Sequence, residues 1–183
     1  MMNRRQFMQF SLVTTTMLTI GGTAWVSVEP EVVPLDIDSM ITLLDKVMIS
    51  HPVANGEWDV AQILQHCAQS VEYSMLGYPQ HKSDLFKVTL GSLAFAVFES
   101  KRKMSHSLSE PIPGAASLDT HLLLNTSHNL TTAYARFKQS LIDFRAYDGV
   151  LAPHFAYGAL TKKQYELAHG MHFMDHLLEV ELR

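Results

Sequence analysis

The chain has 183 residues, enough for one domain with a real core, and its 47% hydrophobic and 17% charged residues mark it as globular rather than disordered. A formal charge of -4, with no lysine or arginine cluster on any helical face, argues against a nucleic-acid partner. The single cysteine, Cys67, excludes an internal disulfide and any multi-cysteine zinc or iron–sulfur site, so a bound metal must be held by histidine and carboxylate.

The first elements in chain order are an n-region and an apolar run. Arg4 and Arg5 are followed by an uncharged stretch from Gln6 to Val28, the layout of a bacterial export signal. The pattern Asn3-Arg4-Arg5-Gln6-Phe7-Met8 resembles the twin-arginine consensus, which implies export after folding. Gly22-Thr23-Ala24 offers small residues for cleavage after Ala24. The uncharged run is also long enough to span a bilayer, which takes about 20 residues, so a retained inner-membrane anchor is the alternative to cleavage. Residues 1–28 are assigned to the signal or anchor and residues 29–183 to the domain, and the expected location is the periplasm.

Helices are predicted over residues 38–49, 58–76, 83–102, 118–147 and 162–181. His51-Pro52 stops the first, because the residue before a proline avoids the helical region. Val60, Ile63, Leu64, Cys67, Val71 and Met75 recur at helical spacing in the second. Gly77-Tyr78-Pro79 ends it, and Ser83 is a candidate cap for the third. A Pro-, Gly- and Ser-rich loop, "MSHSLSEPIPGAAS", leads into the fourth, and "LAPHFAYGAL" joins the fourth to the fifth, with Thr161 as its cap. No convincing strand pattern follows the signal. The expected fold is all-α: a four-helix bundle with short extra helices or ordered loops.

The fifth helix carries His169, His172 and His176. A helix turns about 100° per residue, so His172 and His176, four apart, stack on one face, the spacing that lets two imidazoles share an ion. His169 shares the face but lies about 10 Å along the axis from His176, too far for the same ion, and reads as a supporting group or proton relay. Glu179, three after His176, is placed as a fourth ligand or a hydrogen-bond acceptor to a ligand. Apolar residues border the stripe on both sides, which excludes a solvated face. A metal site and a set of hydrogen-bonded interior histidines both remain open. His66 on the second helix offers a third ligand, against the bland reading of a boundary residue.

The stretch "WDVAQILQH" followed by His-x-x-x-His on the last helix resembles the DinB-like superfamily. The closer likeness is to an uncharacterised branch of it, carried by "ILQHCAQSVEYSMLGYPQHKSDLF", "EPIPGA" and "PHFAYGALTKKQYELAHGMHFMDHL". The resemblance implies a four-helix bundle in which His66, His172 and His176 hold a divalent ion (Zn, Ni, Mn or Fe). It departs at Leu177, where many metal-binding members carry a further histidine.

Two functions are expected. One is an exported metal-dependent hydrolase or transferase, with Glu179, His169, His154 or Tyr157 as candidates to move protons or hold substrate. The other is a non-catalytic envelope module that binds metal or a ligand, with structural histidines. Phe155 and Tyr157 read first as packing for their loop, Pro111-Ile112-Pro113-Gly114-Ala115 as a rigid turn, and Cys67 as a core residue. Gln62 and Tyr73 share the His66 face and are candidates to orient it or to touch substrate. Expected partners are the export machinery and a small-molecule substrate or ligand, with a membrane tether and a homodimer left open.

Overall fold

Asp36 begins the first helix by accepting the Ser39 N–H at 2.9 Å, the usual way to satisfy an orphan donor of the first turn. Helix α1 covers Ile37–Ile49. A two-residue strand β1 (Val53–Ala54) follows, then α2 (Val60–Leu76). A short turn of helix, α3 (Asp84–Phe86), runs through a π segment (Lys87–Gly91) into α4 (Ser92–Lys101). Helix α5 covers Thr126–Ala146 and α6 Lys162–His176; a 3-10 turn (Leu177–Glu179) and strand β2 (Val180–Glu181) close the fold. The computed structural model describes residues 35–118 and 126–182. The signal or anchor segment, its cleavage after Ala24, residues 29–34 of the expected domain and the start of the expected fourth helix lie outside the described residues.

Both long site-bearing helices open on capping boxes. Asp59 accepts the Gln62 N–H at 2.7 Å and its own N–H donates to the Gln62 side chain at 2.9 Å. Thr161 and Gln164 exchange the same pair of bonds ahead of α6. Such reciprocal caps fix where each helix starts, and hence the rotation of its histidines.

The bundle is built from α1, α2, α5 and α6. Met40, Leu44 and Val47 of α1 meet Ile63, Leu64, Cys67, Ala68 and Val71 of α2; Ala133, Phe137, Leu141 and Phe144 of α5 and Tyr165 and Phe173 of α6 complete the core. Burying each large apolar side chain contributes about 1.5–3 kcal/mol, so this core outweighs any single polar contact. A satellite cluster of Leu35, Phe95, Met104, Ala168 and Met171 seats α4 on α6. Gly170 allows α6 to approach the entry to α1: a Cβ there would stand 2.8 Å from the Leu35 carbonyl oxygen.

Two differences from the sequence reading concern position. The expected last helix stops at His176 instead of reaching residue 181, because the chain tightens into the 3-10 turn and then pairs with β1, Val53 opposite Glu181 and Ala54 opposite Val180. The two strands that result are too short for any alternation to register in the sequence. The expected helix over residues 83–102 is broken by its π segment, where Gly91 abuts the Ala156 carbonyl oxygen so closely that a Cβ would overlap it.

A four-histidine candidate metal centre

The four side chains reach the centre from three local structures. His66 comes from the middle of α2 and is buried, not on a shoulder of the bundle. His172 and His176 come from consecutive turns of α6. The fourth histidine, His106, comes from the loop after α4. One ring nitrogen from each of the four lies within 4.8 Å of all the others, close enough to hold a metal ion. His66 Nε2 is 3.0 Å from His172 Nε2, His172 Nε2 is 3.2 Å from His176 Nε2, and His176 Nε2 is 3.2 Å from His106 Nε2.

The rings are not arranged evenly. Five of the six centroid separations fall between 4.7 and 5.0 Å. The sixth, His66 to His106, is 6.4 Å, with the two rings nearly parallel at 12°. His66 and His106 therefore oppose each other, and His172 and His176 sit side by side between them. Trp58 covers one flank, stacked on His176 at 6.0 Å and tilted against His66 at 4.9 Å.

Protonation favours metal binding. Burial, followed by the neighbouring imidazoles, pushes His66 down to about 3 and His176 to about 2. The same causes hold His172 well below its ordinary value. Neutral rings keep a lone pair available at neutral pH. At His106 the Asp175 carboxylate sets the tautomer: Oδ2 lies 2.7 Å from the ring Nδ1 and 3.0 Å from the His106 backbone N–H, which donates to it. A carboxylate that accepts from Nδ1–H turns Nε2 towards the cluster, the arrangement that orients metal-bound histidines. The Nδ1 atoms of His66 and His176 are buried without a partner among the described residues, so Nε2 is the nitrogen those two rings engage.

Next to the cluster lies a cavity of about 270 Å³. His66, His106 and His172 form one wall. Met104, Ile112, Pro111 and Pro113 supply apolar surface, and Lys82 and Glu110 supply charge. His154, Tyr157 and His169 line it as well. His154 and Tyr157 stack at 4.2 Å with an 8° tilt, so they both pack their loop and face the cavity. The Ala156 and Tyr157 backbone N–H groups donate to His154 Nδ1 at 3.1 and 3.2 Å. The proton of that neutral ring therefore sits on Nε2.

Other expected site residues fall elsewhere. Glu179 is not among the four converging groups. The helix ends before it, and its carboxylate turns to Gly56, where a Cβ would stand 2.1 Å from Oε2. An unbroken helix would have carried it onto the histidine face; the 3-10 turn and the β1–β2 pairing carry it away. His169 also stays outside the cluster, with Nε2 3.4 Å from the Ser74 hydroxyl and its ring edge-on to Phe144. Gln62 serves the α2 cap rather than His66. Tyr73 packs on Tyr78 at 5.8 Å. Cys67 is buried in the core, and burial raises its thiol well above the ordinary value.

His106 is the group that sequence reasoning missed. It stands in an aperiodic loop, where no helical spacing marks it.

No curated protein and no solved structure matches the chain. The family model for Protein of unknown function (DUF1569) matches residues 35–183, which includes all of the described residues. The chain therefore belongs to the DUF1569 family, within the DinB-like clan.

Proposed function

We propose that the protein is an exported metalloprotein in which His66, His106, His172 and His176 bind one divalent ion, and that the ion serves hydrolysis or group transfer on a small molecule in the adjoining cavity. The observation that carries this reading is the convergence of four imidazoles on one point beside a cavity. The cavity beside the cluster would give a small molecule access to an ion held there. Such an ion would supply Lewis acidity and lower the pKa of a bound water towards neutrality. His154 Nε2–H would supply a fixed donor on the cavity wall.

The ligand count supports the second reading. Four protein ligands can close a sphere, as in structural or storage sites. The two readings separate on coordination number.

The test is metal analysis of the purified full chain by mass spectrometry, with X-ray absorption for the coordination number. One equivalent of metal is expected, lost in the His172→Ala/His176→Ala double variant, with four nitrogens and one or two oxygens around the ion. Substoichiometric metal that does not fall in the double variant would overturn metal binding. Four nitrogens alone would leave a non-catalytic module. Export is supported by Arg4-Arg5 and the uncharged run after them. It is tested by fractionating cells that express the chain with Arg4→Lys/Arg5→Lys, which should retain it in the cytoplasm.

A further inference from the structure

Away from the histidine centre, the α3–α4 stretch exposes a run of large apolar side chains. Phe86, Leu90, Leu93 and Val97 are spaced four, three and four, so they form one stripe along the helix. Leu90 and Leu93 are 62% and 63% exposed, and Leu85 and Val88 add to the apolar surface at 73% and 71%. Only Phe95 and Gly91 of the π segment and α4 are buried, so this stretch grips the bundle along a narrow line and turns its apolar bulk outward. Contiguous exposed apolar surface on this scale marks an interaction site.

The charge around the stripe says what covers it. Residues 81–103 carry five cations (Lys82, Lys87, Lys101, Arg102 and Lys103) against two acids (Asp84 and Glu99), a local excess of three in a chain of net -4. Both acids are engaged: Asp84 pairs with Lys87 at 2.8 Å and Glu99 accepts from the Gln164 side chain at 3.5 Å. Lys101, Arg102 and Lys103 are exposed, with no ion-pair partner among the described residues. Lys101 is the last residue of α4, and Arg102 ends the helix in the left-handed conformation, φ 49°, so Lys103 lies beyond it. Exposed apolar side chains beside unneutralised cations are complementary to the surface of an anionic membrane, which offers acyl chains to the one and anionic headgroups to the other. A second copy would instead bring like charges together.

We propose that the α3–α4 face docks on an anionic lipid surface, with Phe86, Leu90, Leu93 and Val97 entering the interface and Lys101, Arg102 and Lys103 on the headgroups. One weak signal gives only reversible membrane binding, and a second converts it to stable anchoring.

The test uses the full chain with Leu93→Cys carrying an environment-sensitive fluorophore. Buried Cys67 stays unlabelled. Vesicles of phosphatidylcholine alone are compared with vesicles containing phosphatidylglycerol. Ile49→Cys, an exposed position on α1, controls for simple proximity. The expected result is a blue shift and quenching by lipid-borne spin labels at position 93, not at 49, on the anionic vesicles. Partitioning should weaken at least tenfold in Lys101→Glu/Arg102→Glu/Lys103→Glu. An equal response at both positions, or none at position 93, overturns the proposal. A blue shift without vesicles also overturns it: growth with protein concentration would identify a second copy as the cover, and independence of concentration a segment of the same chain.

Discussion

Asp175→Asn isolates the carboxylate that orients the loop histidine. One oxygen of Asp175 engages both the His106 ring at 2.7 Å and the His106 backbone N–H at 3.0 Å. Asparagine keeps the size and one acceptor oxygen but loses the charge. Its one oxygen can still accept from both groups, but without the negative charge the hold on the ring N–H weakens, and with it the ring's fixed tautomer and aim. Removing such an outer partner costs about 10–100-fold in metal affinity, or about 1.4–2.8 kcal/mol. Affinity is read by competition against a chromophoric chelator, with Zn(II), Ni(II), Mn(II) and Fe(II) in turn. Thermal unfolding with chelator present separates a loss of fold from a loss of affinity. His106→Ala should weaken binding further, and it leaves the buried Asp175 carboxylate with only the backbone N–H of residue 106 as donor. An Asp175→Asn affinity within twofold of the parent, with the fold intact, would refute the carboxylate's role. Equal affinity in His106→Ala would remove the fourth ligand altogether.

Glu179→Gln should leave metal content unchanged, because its carboxylate faces Gly56 and not the histidines; mass spectrometry checks it. Gly91→Ala should lower the unfolding free energy by about 1–3 kcal/mol, the usual cost of overpacking, because its Cβ would overlap the Ala156 carbonyl oxygen on the cavity loop; urea unfolding measures it. Acid should destabilise the metal-free protein. Burial holds His154 and His169 at about 3, against 6.5 when unfolded, so unfolding takes up protons below pH 6.5. Their contribution is complete above 6.5 and is lost as pH falls from there towards 3, by up to about 1.4 kcal/mol per unit per ring. Chelator-treated protein unfolded in urea at pH 7 and pH 5 should show the drop, with a shallower slope in His169→Phe; a flat profile would refute the burial argument.

The bundle was legible because its helices carry local signals. The run of Val60, Ile63, Leu64, Cys67 and Val71 marks α2, and all of these residues are buried. Thr161 caps α6 by pairing with Gln164, three residues on. The spacing of His172 and His176 likewise belongs to one helix, and it is realised as a 3.2 Å contact. What failed was extrapolation past a helix end. Glu179 belongs to the histidine stripe only if α6 continues, and nothing in Leu177-Leu178-Glu179 announces a 3-10 turn. That turn is imposed by β1, more than a hundred residues upstream, so tertiary pairing overrides local propensity there.

His106 was illegible for a related reason, and its placement shows how the centre is assembled. A helix offers two imidazoles at fixed spacing, but it cannot surround an ion, because the side chains that reach the ion all leave from one face. The opposite ligands must come from other segments. α2 supplies one rigidly through His66. The loop supplies the other through His106, and a loop has no periodicity to betray it. What it has is an anchor: Asp175, next to His176 on α6, grips both the ring and the backbone of His106. The same helix thus presents two ligands and fixes the position of a third. Neighbouring loop residues Glu110, Pro111, Ile112 and Pro113 line the cavity, so an ion held by His106 would brace that wall. Metal removal should then raise hydrogen exchange across residues 104–113 while leaving α2 protected. Equal exchange in both states would mean that Asp175 alone holds the loop.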